Sequence, residues 1–315
     1  MHVFSDLAEL ERGRPTILTI GAFDGVHRGH QYLIRQVIDR ARRLDYDSLV
    51  ITFDPRPQVV LRPGSTQLSD AAEKARIIAA LAPDRLVILP FTSSTAEISA
   101  GNFLVSILER VNLNEVWVGA DFAFGHRREG DIAFLIRSGQ KSGFGVHVVA
   151  RQRLASSEIS STAVRELVAA GDVAGASILL GHYPRLRGVV VRGAGRGVDL
   201  GFPTANIRPA ATQVLPGIGI YAGRLFVDGK TYAAAISVGY NVQFDGRQVS
   251  LEAYALDFEG DLRDREVGLD FVQRIRDEAR FESVEALVDQ MHRDVDEVRV
   301  ILSRADEPGE LILPA

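Results

Sequence analysis

Leu18-Thr19-Ile20-Gly21-Ala22-Phe23-Asp24-Gly25-Val26-His27-Arg28-Gly29-His30 decides how the first half of this chain folds. Leu18–Ile20 is an apolar run of strand length, and from about Gly29 to Leu44 apolar residues recur at helical spacing. Between them Gly21 and Gly25 allow a tight backbone path. His27 and His30 then stand three residues apart at a helix start, where N–H groups without intrahelical partners and the positive dipole end form a seat for phosphate. Two imidazoles at such a seat can donate hydrogen bonds to an α-phosphate as charge builds on its oxygens. The chemistry this implies is attack on that phosphate with pyrophosphate leaving. The same residues also read as capping or surface histidines beside a turn, or as two zinc ligands, although an i,i+3 pair with no third ligand nearby suits zinc poorly. Their place directly after the first predicted strand favours a ligand site, because α/β sheets bind ligands at the carboxyl ends of their strands.

Outward from this segment, Leu49–Phe53, Leu86–Leu89, Val116–Val118 and Val146–Val149 are further strand-like runs. The stretches from Asp70 to Leu81, Ala100 to Val111 and Asp131 to Ser142 have helical period. Five βα-like units predict an α/β domain of Rossmann-like type, a parallel sheet flanked by helices. Ser160–Leu180 reads as two short helices broken near Gly171-Asp172, and a boundary is expected close to Pro184, giving domains 1–184 and 185–315.

Beyond Gly188 the texture is β. Val189–Val191, Tyr221–Val227, Tyr232–Val238 and Val249–Phe258 are strand-like, with turn signals at Asp228-Gly229 and Asp245-Gly246. Hairpins without intervening helices predict a mainly β domain, a small closed barrel that removes exposed edges. A C-terminal helix over Glu282–Ile301 is expected to pack on it. Arg192-Gly193-Ala194-Gly195-Arg196-Gly197 bares backbone N–H groups for phosphate, or merely serves a hairpin. It is no dinucleotide fingerprint, since Pro203 and Pro209 forbid the long helix that should follow.

Composition narrows the partners. With 315 residues there is length for two cores, and 46% hydrophobic and 24% charged residues are an ordinary globular balance. No stretch approaches the roughly 18 apolar residues of a membrane span. Met1–Asp6 leads at once into acidic Glu9 and Glu11, unlike a signal peptide, and cysteine is absent, so a cytoplasmic place is expected. A net charge of −5 argues against nucleic-acid binding and for small-molecule partners. The three lysines, Lys74, Lys141 and Lys230, follow no G-x-x-x-x-G-K-[ST] pattern, which excludes a Walker-type loop. Phosphate handling is therefore expected to rest on arginine, histidine, backbone N–H groups and metal.

Taken together, the motifs resemble a known family. His27-Arg28-Gly29-His30 is similar to the H-x-G-H signature of nucleotidylyltransferases, and the chain resembles the bacterial bifunctional riboflavin kinase/FAD synthetases over roughly residues 14–303. Thr52–Pro57 (TFDPRP) resembles T-F-x-P-H-P, Val118–Gly125 (VGADFAFG) resembles V-G-x-D-F-x-F-G, and Ile159–Arg165 (ISSTAVR) resembles I-S-S-T-x-I-R. Gly201–Asn206 (GFPTAN) is similar to the P-T-A-N signature of riboflavin kinases.

The resemblance implies roles. Gly21, Phe23 and Asp24 would line the adenylyl-transfer site, His27 and His30 would hold ATP phosphates, and Asp121 would help to place FMN. Ser161, Thr162 and Arg165 would grip pyrophosphate, although alone such a run is commonly a helix cap. In the barrel, Gly193, Gly195 and Gly197 would border the ATP, with Thr204 and Asn206 on Mg²⁺ and phosphates. Glu252 would accept the proton of the ribityl hydroxyl, and without the resemblance it reads as an exposed strand residue. Arg276 and Phe281 match a stretch bordering the flavin pocket, or else lie on a helix surface. Arg56 stands where the family has histidine, and Val242-Gln243 and Arg263-Asp264 replace the family's Pro-Thr and Tyr-Gly. The function so implied is phosphorylation of riboflavin to FMN and adenylylation of FMN to FAD, using ATP and Mg²⁺, by a monomer or weak homo-oligomer. The alternatives are transfer to another acceptor, such as a cytidylyl-transfer substrate, and an active adenylyltransferase joined to a flavin-sensing barrel.

Overall fold

Short apolar strands alternating with amphipathic helices can bury both faces of a sheet only when the strands run parallel and the crossovers cover them. The structure, a computed structural model, describes residues 1–154, 157–193, 197, 200–240 and 249–305, and its contacts divide the chain into two units between Ser161 and Thr162. The first unit contains His2–Phe4 (β1), Thr16–Ile20 (β2), Arg28–Leu44 (α1), Asp47–Asp54 (β3), Pro57–Leu61 (α2) and Ala71–Leu81 (α3). It continues through Arg85–Pro90 (β4), Ser93–Ala96 (α4), Ala100–Arg110 (α5), Leu113–Gly119 (β5), Ile132–Ser142 (α6) and Gly145–Val149 (β6). Arg153–Leu154 (β7) and Ser157–Glu158 (β8) form a small antiparallel pair.

The six-stranded sheet is parallel throughout, in the order β1-β4-β3-β2-β5-β6. All five residues of β2 are buried. Successive side chains serve opposite faces: Ile17 packs with Val37 and Ala41 of α1, while Leu18 and Ile20 join Phe103, Leu104 and Ile107 of α5. From β2 the chain winds outward through β3 and β4, then crosses back to β5 on the other side. The carboxyl end of β2 is therefore the switch point of the sheet, where ligands bind in such folds. Beyond the five expected strands, β1 adds an edge; its three residues are too few to show a period.

The second unit has helices Ser161–Ala170 (α7, whose first residue closes the first unit) and Val173–Leu180 (α8), then strands Arg185–Val191 (β9) and Ala205–Pro209 (β10). Gly219–Val227 (β11), Lys230–Tyr240 (β12), Val249–Ala255 (β13), Glu266–Arg276 (β14) and the helix Val284–Leu302 (α9) complete it. The strands close an antiparallel barrel in the order β10-β13-β12-β11-β14-β9. Asp228 and Gly229 both take positive φ, 48° and 74°, between the paired residues Val227 and Lys230, the two-residue turn that Asp-Gly predicts. Val298 of α9 is fully buried with Ala222 and Leu256 of the barrel, flanked by Val295, Ile301 and Leu302. The turn expected at Asp245-Gly246 lies outside the described residues.

Two strands of the barrel were not read from the sequence. β10 carries Pro209 at its end, and β14 interrupts its apolar alternation with Asp270. That carboxylate is 2% exposed and accepts two hydrogen bonds, at 2.5 and 2.8 Å, from its register partner Arg185. A buried charge is tolerated when paired in this bidentate way.

Leu18 is wholly buried in the sheet. Leu18→Ala is expected to destabilise the first unit by about 2–5 kcal/mol, read in urea from the fluorescence of Trp117, the only tryptophan, which sits on β5 opposite Thr19.

Candidate active sites

At the end of β2 the backbone leaves the sheet through a turn rich in positive φ: Phe23 at 42°, Gly25 at 75° and Val26 at 40°. Such values are costly for a β-branched residue and persist only where the surroundings impose them. Here the Gly21 N–H donates to the Ile51 carbonyl at 3.1 Å, Thr52 Oγ1 donates to the Ala22 carbonyl at 3.0 Å, and Gln31 Nε2 donates to the Val26 carbonyl at 2.9 Å. Gly21 has no room for a side chain, since a Cβ would lie 2.8 Å from the Phe23 ring. The turn delivers His27 as the N-cap of α1, its Nδ1 accepting from the His30 N–H at 3.3 Å. Accepting at Nδ1 leaves the proton of neutral His27 on Nε2. The two imidazoles stack with centroids 3.6 Å apart and planes 16° from parallel, and the Phe23 ring stands edge-on to His30 at 5.2 Å. Burial holds His30 well below its ordinary value of 6.5, with His27 and then the Lys74 ammonium adding to the effect. His30 is therefore neutral at physiological pH, and its buried Nδ1 has no partner among the described residues.

Asp24 turns inward. It is 2% exposed, its Oδ1 accepts the Leu68 N–H at 2.7 Å, and Oδ2 lies 3.6 Å from Arg56 Nε. Its own carbonyl accepts Ser161 Oγ at 2.9 Å, while Ser69 Oγ accepts the Gly25 N–H at 3.0 Å. Asp24 thus anchors the loop through the interior. Asp121 follows β5, the neighbour of β2, with its carboxylate exposed and 3.2 Å from Arg151 Nη2. Thr162 and Arg165 lie one turn apart on α7, Arg165 Nη2 donating to Thr162 Oγ1 at 3.1 Å.

Sequence reading left Lys74 out, assigning phosphate handling to arginine, histidine, backbone and metal. Lys74 is wholly buried in α3 beneath this loop, donating to the Phe53 carbonyl with Asp54 Oδ1 at 3.8 Å. A signal was present: Lys74, Ile77, Ile78 and Leu81 share the buried face of α3 at i, i+3, i+4 and i+7. A charge in that register has to meet a partner inside.

The barrel forms a second cluster. Thr204 Oγ1 donates to Glu252 Oε2 at 3.0 Å, and Glu252 pairs with Asn206 across β13–β10 and with Ser237 across β13–β12. Gly193 lies close against Asn206, and Gly197 close against Phe202. A Cβ on Gly193 would fall 2.0 Å from Asn206 Nδ2, and one on Gly197 would fall 2.2 Å from the Phe202 carbonyl. Gly195 lies outside the described residues, as do Val242-Gln243. Phe202 is buried against Tyr254 and His292, with ring centroids at 5.3 and 5.0 Å.

Arg276 ends strand β14, so the helix-surface reading of this stretch does not hold. Its Nε and Nη2 donate to Asp294 of α9 at 2.9 and 2.7 Å, and its guanidinium stands 5.8 Å from the Phe281 ring. Asp294, 4% exposed, also accepts from Gln290 at 2.8 Å, so the arginine fixes α9 to the barrel. Arg263-Asp264 forms a closed turn in which Arg263 holds Asp261, lowering that carboxyl to about 2.

Two family models match the chain: one described as FAD synthetase over residues 10–163, and one described as riboflavin kinase over residues 180–302. The bifunctional riboflavin kinase/FMN adenylyltransferase of Listeria monocytogenes is 34% identical over 295 residues, 92% of this chain and 94% of that protein. Its counterpart in Pseudomonas fluorescens is 36% identical over 292 residues, 91% of this chain and 93% of that protein. The Escherichia coli K12 counterpart is 34% identical over 282 residues, 88% of this chain and 90% of that protein. A crystal structure described as a macrolide-efflux protein from Streptococcus pneumoniae is similar at a TM-score of 0.81 and 30% identity, covering 95% of this chain and 98% of that one. Among the described residues no helix is long and apolar enough to cross a membrane.

A buried neutral histidine ties stability to pH. Unfolded, His30 takes a proton near its ordinary 6.5, whereas folded it does not until well below that value. Between the two values the unfolded state binds more protons, so stability is present above the unfolded value and is lost as pH falls toward the folded one. Urea midpoints followed at Trp117 from pH 7.5 to 5.5 should decline, and His30→Gln should flatten that decline.

Proposed function

Because the chain belongs to the bifunctional riboflavin kinase/FMN adenylyltransferase family, we propose that Gly21–His30 carries the adenylyl transfer and the Thr204–Asn206–Glu252 cluster the phosphorylation. The enzyme phosphorylates riboflavin with ATP to give FMN, then adenylylates FMN to FAD with release of pyrophosphate. Residues up to Pro184 carry the second reaction and those after it the first.

One observation carries the adenylyl-transfer assignment: His27 and His30 stack at the helix start that follows β2, at the switch point of the sheet. An FMN phosphate oxygen attacks the α-phosphorus of ATP, and the bond to the bridging oxygen of the β-phosphate breaks with its electrons on pyrophosphate. The Nε2–H of His27 donates to a non-bridging α-oxygen as negative charge grows there. A neutral His30 adds a donor without demanding a counter-charge. Ser161, Thr162 and Arg165 receive the leaving pyrophosphate, the guanidinium offering a fixed fork of donors, and Asp121 orients FMN.

In the barrel the ribityl hydroxyl attacks the γ-phosphorus of the first ATP and ADP leaves. Glu252 accepts the hydroxyl proton, with Thr204 Oγ1 holding its Oε2 at 3.0 Å so that Oε1 is presented to substrate. Gly193, Gly195 and Gly197 let backbone N–H groups approach the phosphates, and Arg276 borders the flavin through its grip on α9. Kinases and adenylyltransferases that use ATP generally work with a divalent metal. The Thr204 hydroxyl and Asn206 amide oxygen beside the Glu252 carboxylate are hard donors that fit Mg²⁺, which takes one or two protein oxygens along with phosphates and water. When bound, the ion neutralises phosphate charge. An acidic chain without cysteine supports a cytoplasmic place for this work. A barrel that only sensed flavin would have no use for a carboxylate held ready by Thr204.

Riboflavin, ATP and Mg²⁺ incubated with the protein should yield FMN and then FAD on chromatographic separation. His30→Ala should lower FAD formation by about 10²–10³-fold and spare FMN formation. Glu252→Gln should lower riboflavin phosphorylation by about 10²–10⁴-fold while supplied FMN is still converted to FAD. Loss of both activities in either variant would refute the division into two sites.

A further inference from the structure

Lys74 is a cation with no exposed surface, on a helix that supplies none of the residues assigned to either reaction. Burying an ammonium is costly unless carbonyls and carboxylates meet it. Here they come from the rim of the nucleotide loop: the Phe53 carbonyl and the Asp54 carboxylate, both at the carboxyl end of β3. From Asp54 the contacts continue to Gln67, whose Nε2 donates to Asp54 Oδ1 at 3.4 Å and whose Oε1 accepts the Arg56 N–H at 3.0 Å. Arg56 Nε donates to the Thr66 carbonyl at 2.8 Å and faces Asp24, whose carboxylate holds the loop. Gln67 and Ser69 are 3% and 1% exposed, so this network lies under the loop, with Asp54 its partly exposed member.

We propose that Lys74 is a positioning residue for adenylyl transfer: its buried ammonium pins the end of β3 and, through it, the loop that seats His27 and His30. The proposal rests on the reading of Gly21–His30 as the adenylyl-transfer loop. The charges facing Lys74 are Asp54 from β3, Asp24 from the turn, Asp70 from the N-cap of α3 and Arg56 from the segment after β3. Burial lowers the lysine while the three carboxylates oppose that and favour its charge. Burial keeps the His30 imidazole neutral, and His27 beside it and then the Lys74 ammonium add to that effect. The lysine therefore acts first by holding the strand end, and its charge adds to the burial that disfavours an imidazolium at His30.

The test is the pH dependence of FMN adenylylation by the full chain with Lys74→Met. Without the ammonium, His30 protonates more readily, and the acid limb of kcat/KM for FAD formation should move up by about half a pH unit or more. Riboflavin phosphorylation should stay within about twofold of the parent, because a site carried by separate elements adds independently. A uniform loss of FAD formation with the limb unmoved would mean a structural lysine only and would overturn the proposal. A parent-like profile would overturn it as well. Should Lys74→Met fail to fold, as judged by Trp117 emission, Asp54→Asn carries the test at a partly exposed position. A fall in kcat for FAD formation of about tenfold, the size of a displaced positioning group, with the acid limb moved and riboflavin phosphorylation within about twofold of the parent, supports the proposal, and a parent-like kcat or a fall with the limb unmoved overturns it. His30→Ala is run alongside. If that variant still makes FAD at the parent rate, the reading of the loop itself fails; if it is inactive while Lys74→Met is unaffected, only the role of Lys74 fails.

Discussion

A carboxylate with 2% of its surface exposed must find its hydrogen bonds inside the protein, and Asp24 draws them from several parts of the chain. Its oxygens engage the Leu68 N–H and face Arg56, and its carbonyl takes the Ser161 hydroxyl. Those contacts fix the turn between β2 and α1 where Phe23 and Val26 occupy left-handed conformations that neither would adopt alone. Without that turn His27 would not cap α1, and the two imidazoles would not stack. The same demand propagates outward: Arg56 needs the Thr66 carbonyl, Gln67 joins Arg56 to Asp54, and Asp54 meets Lys74. The loop that carries His27 and His30 is thus held from beneath by alternating charges, and its precision comes from satisfying them.

The barrel reaches a comparable precision by another route. Thr204, Asn206 and Glu252 sit on or beside paired strands, and the register of β10 against β13 and of β13 against β12 sets their spacing. Closure of the sheet leaves those strands no freedom to slip, since a shift by one residue would turn every side chain to the other face. The glycine loop adds close approach, with Gly193 against the Asn206 amide. The cation pairs here serve the scaffold: Arg185 with Asp270 closes β9 on β14, and Arg276 with Asp294 ties α9 to the end of β14. Arg276 therefore acts on its surroundings through the helix it holds.

Two of the departures from the family's motifs, at Arg56 and at Arg263-Asp264, are accommodated locally. Arg56, in place of the family's histidine, supplies a permanent cation opposite Asp24 and a second bond to the Thr66 carbonyl, so the loop keeps its anchor. Arg263-Asp264 closes its own turn on Asp261, with the Asp264 N–H donating to the Val190 carbonyl of β9 at 2.9 Å.

Much of this was legible in the sequence. Strand-length apolar runs, helical periods, the Asp-Gly turn at 228–229 and the order of motifs gave both fold classes, because periodicity and turn chemistry are local properties. His27 and His30 were singled out by their place after the first strand, and Thr204, Asn206 and Glu252 by the motifs that resemble the family's. What sequence reading missed was non-local. β1 has three residues, β14 carries an aspartate whose partner is 85 residues away, and the pairing of Arg276 with Asp294 of α9 was not read. Lys74 broke the apolar face of its own helix, yet nothing local indicated which carbonyl and carboxylate would meet it. The sequence by itself determined most of the elements and the two fold classes; only the tertiary structure decided which buried charges pair, because the cost of burying a charge is relieved by groups that folding, and not chain order, brings within reach.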